Sequence, residues 1–296
     1  MRPSSLPRLL VTFLLLRCLL GTLHAEVVAV SSVVFNGYAR QRLPDGSFKP
    51  EAYVFGEGGR MSRPVADPAM EQLKFADVAR VIAGPLARQN YHPALKTSEV
   101  QLLIVVFWGS TQGSRDTRNQ TGSMDRLSSA SSNYTAARAD DQATQPNSAE
   151  PSPATSAAQN DYDSALWQMQ MDNDVRDQID SQNAQILGYS ESLSRARFAR
   201  HMSFAQDTLA EVSENRYYVV LQAYDFKTAK DSKKLKPLWT TRMSVSESGP
   251  FGPALEKMVK NAARSFGTDT DGLQRHREGT VDLAPLKILE IDPAKK

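Results

Sequence analysis

The segment Gly56-Glu57-Gly58-Gly59-Arg60 has the composition that most suggests chemistry. It follows a short run of β-forming residues, and closely spaced glycines leave backbone N–H groups free to surround an anion, which Arg60 could assist. The segment matches neither G-x-x-x-x-G-K-[ST] nor G-x-G-x-x-G. The alternative is a flexible turn whose glycines adopt positive φ angles. Both interpretations predict a loop, with Gly56, Gly58, Gly59 and Arg60 as candidate ligand-binding residues.

Motifs for metal binding or nucleophilic catalysis are scarce. The three histidines after residue 25 are far apart and form no H-E-x-x-H pair, and the chain has no G-x-S-x-G sequence. A Ser-His-Asp set dispersed along the chain stays open as an alternative. Asp172, Asp174, Asp177 and Asp180 follow a helical period without the glycine of a calcium loop, which indicates a solvated helix face. We expect neither a metal nor a cofactor.

The first 25 residues resemble an export signal. Arg2 and Arg8 precede a run of 12 apolar residues interrupted by Arg17, and the small residue Ala25 precedes Glu26. This run is shorter than the ~20 residues of a membrane-spanning helix, so we favour cleavage after Ala25 over a retained anchor. The single cysteine, Cys18, lies within this segment. The mature chain would therefore have no disulfide, and we expect it in the periplasm or outside the cell, with no stable membrane span.

Charge and composition limit the classes of partner. The chain has 35 basic and 33 acidic side chains, a net charge of +2, so nucleic acid is not an expected partner. Five lysines lie between residues 227 and 236, where they could contact an acidic partner or belong to a solvated hairpin loop.

A polar insert divides the chain. Among the 51 residues from 110 to 160, Leu127 is the only Leu, Ile, Val or Phe. Such a tract buries too little apolar area to offset the ordering of its backbone, so we expect a disordered insert. The expected organisation is a signal peptide (1–25), the first half of a domain (26–109), the insert (110–160), a helical segment (161–213) and the second half of the domain (214–296).

Hydrophobic periodicity predicts the elements that would position these residues. Strands are expected at 26–35, 52–55, 100–108, 217–224 and 238–245, the last two as an antiparallel hairpin. Helices are expected from Asp67-Pro68 to near Tyr91, over 162–198 with a break at Gly188, over 204–212 and over 253–266. Residues 280–291 would add an edge strand. The predicted fold is α+β, a small mixed sheet of about four or five strands with packed helices, interrupted by the insert.

Four strings together resemble a family of secreted proteins of unknown function from Gram-negative bacteria. They are YVFGEGG (53–59), LLIVVFWGST (102–111), RYYVVLQAYDF (216–226) and PLWTTRMSVSE (237–247). The resemblance covers about residues 50–111 and 185–270, and extends distantly to envelope lipoprotein domains, whose lipid-attachment cysteine this chain lacks. It implies an envelope location and makes Asp225, Arg242 and Arg60 candidates for a shared polar site. A structural role, with Asp225 capping a turn or pairing with Arg242, is the alternative.

The sequence predicts an exported, non-enzymatic envelope protein that binds a partner protein or a cell-wall component. Two alternatives remain. One is an exported hydrolase whose site residues converge from Arg60, Asp225 and Arg242. The other is a protein that binds a small anion or nucleotide at residues 56–60.

Overall fold

The computed structural model describes residues 26–60, 70, 72–114, 119–199 and 201–277. The chain divides into two compact units, one of residues 28–276 and one of residues 1–27 with 277–296, and only residues 26, 27 and 277 of the second unit are described. The expected signal peptide, the helix start at Asp67-Pro68 and the expected edge strand at 280–291 lie outside the described residues.

Within the described residues, seven strands form one mixed sheet in the order β3-β2-β4-β5-β6-β1-β7. β2 is parallel to β3 and β4, whereas β4, β5, β6 and β1 pair antiparallel in succession. The expected α+β class is confirmed, and the sheet has more strands than the four or five expected. The strand bounds are β1 Val27–Val34, β2 Glu51–Arg60, β3 Tyr91–Pro93, β4 Leu102–Ser110, β5 Arg216–Asp225, β6 Pro237–Ser246 and β7 Leu273–Arg277.

Seven α-helices lie within the described part of the chain. They are α1 Phe75–Ala87, α2 Asn119–Thr144, α3 Pro153–Leu187, α4 Ser190–Phe198, α5 Ser203–Val212, α6 Phe226–Ser232 and α7 Phe251–Ala262. α3 ends at Gly188, whose φ of 81° is the left-handed conformation that glycine adopts readily, so the expected break is found there.

The first face of the sheet carries the larger core, under α1 and α7. Alternate residues of β4 point into it, and Ile104, Val106 and Trp108 are almost fully buried. Ile82 of α1 and Met258 of α7 pack against them. The amphipathic period of both helices therefore matches the side-chain alternation of the strands beneath them.

The second face of the sheet is covered at one end, by the end of α3 with α4 and α5. Leu187, Leu193 and Val212 pack there on Tyr218 and Val220 of β5. β5 is buried on both faces, which explains its unbroken run of β-forming residues. The second face thus carries a smaller core, next to the point where the insert returns to the sheet.

The insert is helical where the sequence predicted disorder. α2 and the first part of α3 occupy most of residues 110–160, and the two helices pack side by side as a helical hairpin. Ala130 and Ala165 are buried in their seam, and the rings of Tyr134 and Tyr162 stack with centroids 5.9 Å apart. Alanine favours helix strongly and permits close helix approach, so this pair needs few large apolar residues.

Candidate functional site

The glycine segment lies in a strand and not in a loop. Gly56 and Gly59 both belong to β2 and pair with Val105 and Phe107 of β4, with a bulge between Glu57 and Gly59. This corrects the predicted loop. A Cβ placed on Gly58 would stand 2.6 Å from carbons of the Phe107 ring, and one on Gly56 would stand 3.2 Å from Leu103 Cδ1.

These glycines therefore make room for side chains of β4. Side chains of β4 fill the space that a Cβ would take at positions 56 and 58. This packing accounts for glycine at both positions, with no need for a bound anion. Gly59, at this bulge, has a φ of 88°, a conformation that favours glycine. The backbone of Arg60 pairs with Trp108, and the side chain of Arg60 lies outside the described atoms.

Asp225 caps a helix. It ends β5, and its Oδ1 accepts a hydrogen bond of 2.7 Å from the backbone N–H of Thr228 in the first turn of α6. This hydrogen bond lowers the pKa of the Asp225 carboxyl, with smaller contributions from nearby lysines. The structural alternative that the sequence left open, turn capping, is the role that the geometry gives this residue.

Arg242 lies in β6, on the second face of the sheet. Arg242 pairs with Val220 of β5, Val220 pairs with Phe107 of β4, and Phe107 pairs with Gly59 of β2. Arg242 and Gly59 therefore lie in one row across the sheet, three strand spacings or about 14 Å apart. Asp225 lies five residues along β5 from Val220, about 16 Å away. The structure does not bring Arg242, Asp225 and the glycines together, so the convergence that the hydrolase alternative requires is not found among them.

The helical hairpin presents an apolar surface that sequence reasoning missed. Trp167, Met171 and Val175 of α3 keep 61%, 42% and 50% of their surface exposed. Their spacing of four residues places them along one face of the helix, which we call the outer stripe. Buried or half-buried positions on α3 recur every three or four residues, at 155, 158, 162, 165, 169, 172 and 176, and define the seam. At 100° per residue the outer stripe lies opposite this seam.

The surroundings of the outer stripe are acidic. Residues 119–187 contain ten Asp or Glu and three Arg, a net charge of −7, whereas residues 26–118 and 188–277 together carry +7. Asp163 and Asp174 are exposed and flank the stripe on the same side, and neither forms an ion pair within the described residues. No cation within the described residues therefore forms an ion pair with these two carboxylates.

Buried polar groups fix the hairpin to the sheet. Asn183 of α3 donates hydrogen bonds from Nδ2 to the carbonyl oxygens of Gln112 (2.9 Å) and Val212 (3.1 Å). One turn earlier, Asp180 accepts a 2.9 Å hydrogen bond from the Ser213 hydroxyl. Since both side chains are buried, they determine where α3 leaves the sheet and hence where the outer stripe is presented.

Two further features are absent from the described residues. No group of three His, Cys, Asp or Glu within them is placed to hold a metal ion. No helix among them has the length and apolarity needed to cross a membrane.

Comparison of the chain with protein-family models and with curated proteins found no match.

Proposed function

We propose that the chain is an exported, non-enzymatic envelope protein that binds a partner protein through the outer stripe of its helical hairpin. The observation that carries the proposal is the exposure of Trp167, Met171 and Val175 along one face of α3. Export is supported by the three-part layout of residues 1–25.

The exposed side chains have the properties of interface anchors. Burying a large apolar side chain contributes ~1.5–3 kcal/mol, and tryptophan is enriched among the residues that dominate binding energy. The stacked tyrosines and buried alanines of the seam pack α3 against α2 in the absence of a partner. A rigid helix face of this kind suits a partner that contributes a groove or a second helix.

Charge defines the chemistry of the partner. The −7 charge of the hairpin, and the unpaired Asp163 and Asp174 beside the outer stripe, favour a partner segment that combines apolar residues with Lys or Arg. Acidic surroundings would also speed the encounter with such a segment at low ionic strength. The proposed partner is therefore a basic amphipathic segment of an envelope protein.

Trp167 provides a direct readout of this binding. The other two tryptophans, Trp108 and Trp239, are 1% and 0% exposed, so Trp167 is the one whose environment changes when the outer stripe is covered. An amphipathic 18-residue peptide of Leu and Lys is titrated into residues 26–296 while tryptophan emission is followed. We expect a saturable blue shift that is missing in Trp167→Phe.

Matched controls decide the specificity of that titration. A peptide of Leu and Glu with the same pattern should bind at least 10-fold more weakly, because its charge repels the hairpin. The double variant Met171→Ser/Val175→Ser keeps Trp167 as a reporter and should also lose at least 10-fold in affinity. If the double variant binds the Lys peptide as tightly as the unsubstituted chain does, the proposed surface is overturned.

The export part of the proposal has its own test. The full chain, expressed in a Gram-negative host, is fractionated and its mass is determined. We expect the periplasmic or secreted form to begin at Glu26. A cytoplasmic protein that retains residues 1–25 would contradict export without bearing on the outer stripe.

A further inference from the structure

A cleft of about 480 Å³ opens on the second face of the sheet, away from the outer stripe. Its walls are β1 and β6 of the sheet, the junction of α3 and α4, and the residues just before β7. Clefts that hold small molecules measure about 300–1,000 Å³. Its lining is mostly polar, and one cation and three carboxylates face it: Arg242, Glu191, Asp269 and Asp271.

The side chain of Arg242 lies half-buried in this cleft. It makes no hydrogen bond or ion pair within the described part of the chain. Burial lowers the pKa of its guanidinium, and no carboxylate offsets this effect. Losing part of its solvation is unfavourable for a cation, and an anionic group of a ligand would carry the opposite charge and would accept hydrogen bonds from the guanidinium.

Packing holds the guanidinium of Arg242 at the cleft. A Cβ placed on Gly188 would stand 3.1 Å from Arg242 Cδ and 2.8 Å from Ser31 Cβ, so the end of α3 lies directly on the aliphatic stem of the arginine. The first turn of α4, Ser190 to Ser192, also lines the cleft, and its N-cap residue Tyr189 makes no side-chain capping bond. The N–H groups of that turn add positive potential on the same side as Arg242.

Two of the carboxylates, Asp269 and Asp271, belong to another part of the cleft wall, the segment before β7. Asp269 accepts a 2.8 Å hydrogen bond from the N–H of Asp271, which has a φ of 50°, and neither forms an ion pair within the described residues. Glu191 pairs with Arg195 at 3.4 Å. Because Arg195 neutralises Glu191, two unpaired carboxylates, those of Asp269 and Asp271, stand against Arg242, and they would repel an inorganic anion. A ligand that carries both charges would satisfy both sides.

We propose that this cleft binds a zwitterion of the amino-acid or short-peptide class, with the ligand carboxylate on Arg242 and its ammonium group on Asp269 and Asp271. No ion pair joins the Arg242 guanidinium to the carboxylate of Asp269 or Asp271, so these groups are available to a ligand. A bidentate bond from Arg242 would orient the carboxylate, and the aspartates would select a free amino group. The inference is independent of the proposed partner surface, with which it shares no residue.

Calorimetric titration of residues 26–296 tests this site with alanine, di-alanine and tri-alanine as the probes. We expect at least one of them to bind saturably with one site per chain. The N-acetylated and C-amidated forms of that probe, each of which lacks one charge, should bind at least 10-fold more weakly. Absence of binding by all three probes at 10 mM, or equal binding of the N-acetylated form, would overturn the proposal.

Substitutions separate the two halves of the site. Arg242→Gln should abolish binding, and Arg242→Lys should restore part of it, because lysine keeps the charge but not the bidentate geometry. Asp271→Asn changes an exposed residue, so the fold should persist, and it should remove the discrimination against the N-acetylated probe. Retention of that discrimination in Asp269→Asn/Asp271→Asn would exclude the aspartates from the site. Unchanged binding in a folded Arg242→Gln variant would exclude the arginine.

Discussion

The ring of Phe107 lies against the backbone of Gly58, so closely that a Cβ on Gly58 would stand 2.6 Å from two of its carbons and 2.7 Å from a third. The two residues belong to adjacent parallel strands, β4 and β2, at the bulge of β2. An aromatic ring over a strand glycine replaces the side chain that the glycine lacks. The glycines that suggested an anion cradle in the sequence are thus part of the packing of the sheet.

Gly58→Ala should destabilise the protein. The added methyl group displaces the Phe107 ring, and overpacking of this kind costs ~1–3 kcal/mol. Urea denaturation, followed by circular dichroism, measures the change in the free energy of unfolding. Gly84→Ala is the matched control, because a Cβ there meets nothing within 4 Å and alanine favours helix α1 by up to about 1 kcal/mol. Equal stability of Gly58→Ala and the wild type would contradict the contact.

Ala165→Asp should open the helical hairpin while the sheet stays folded. Ala165 is fully buried in the seam, where an unpaired carboxylate is unfavourable. In a Trp167→Phe background, we expect loss of helical signal at 222 nm with unchanged emission from the buried Trp108 and Trp239. Ala157→Asp, at an exposed position of α3, should change neither signal. If Ala165→Asp keeps the full helical signal, α2 and α3 do not pack as described.

The hairpin shows why composition misled the sequence prediction. Its seam uses Ala130, Ala165, Tyr134 and Tyr162, none of which counts in a census of Leu, Ile, Val and Phe. The signal that could have revealed it is the three- and four-residue spacing of small and aromatic residues. Serine and threonine hydroxyls that return hydrogen bonds to the carbonyl four residues earlier, as Ser132 does to Ser128, make the polar composition compatible with helix.

Local periodicity predicted the elements that build the first face. The run at 100–108, apolar except for Gln101, became β4, between β2 and β5. The run at 217–224 with its partner at 238–245 became the antiparallel pair β5 and β6. The short edge strand β3 escaped prediction because Tyr-His-Pro has no alternation to detect. The cleft at Arg242 could not be predicted, since its walls come from segments more than 200 residues apart.

Asp225→Ala should weaken the cap of α6 and lower the free energy of unfolding by ~1 kcal/mol. Asp225→Asn should retain most of the stability, because an amide oxygen can also accept from the Thr228 N–H. Thermal or urea denaturation at pH 7 measures both differences. Equal loss in the two variants would show that the negative charge, and not the capping bond, matters.

The same cap predicts a pH dependence. The hydrogen bond from Thr228 lowers the pKa of Asp225 in the folded state. Its contribution is therefore present above the carboxyl's ordinary pKa of about 4 and is lost as the pH falls through the lower, folded-state pKa. The stability difference between the wild type and Asp225→Ala should shrink below about pH 4. A difference that grows on acidification would contradict the assignment.

Asn183→Ala should loosen the base of the hairpin. Two buried carbonyl groups, of Gln112 and Val212, would lose their hydrogen bonds from Nδ2, at ~1–3 kcal/mol for each group left unpaired. Hydrogen exchange should show faster opening at the end of α3 than in β4. Protection that is unchanged at the end of α3 would indicate that other contacts fix the hairpin.

Photo-crosslinking in the producing cell tests most directly whether the outer stripe binds a basic partner protein. A benzophenone amino acid replaces Met171 in one strain and the exposed Ala136 of α2 in another. We predict one discrete adduct from position 171, absent from position 136 and lost when Trp167→Ser and Val175→Ser are added. The captured peptide should combine apolar residues with Lys or Arg. Identical adducts from both positions, or a captured segment that is acidic, would contradict the proposed partner surface.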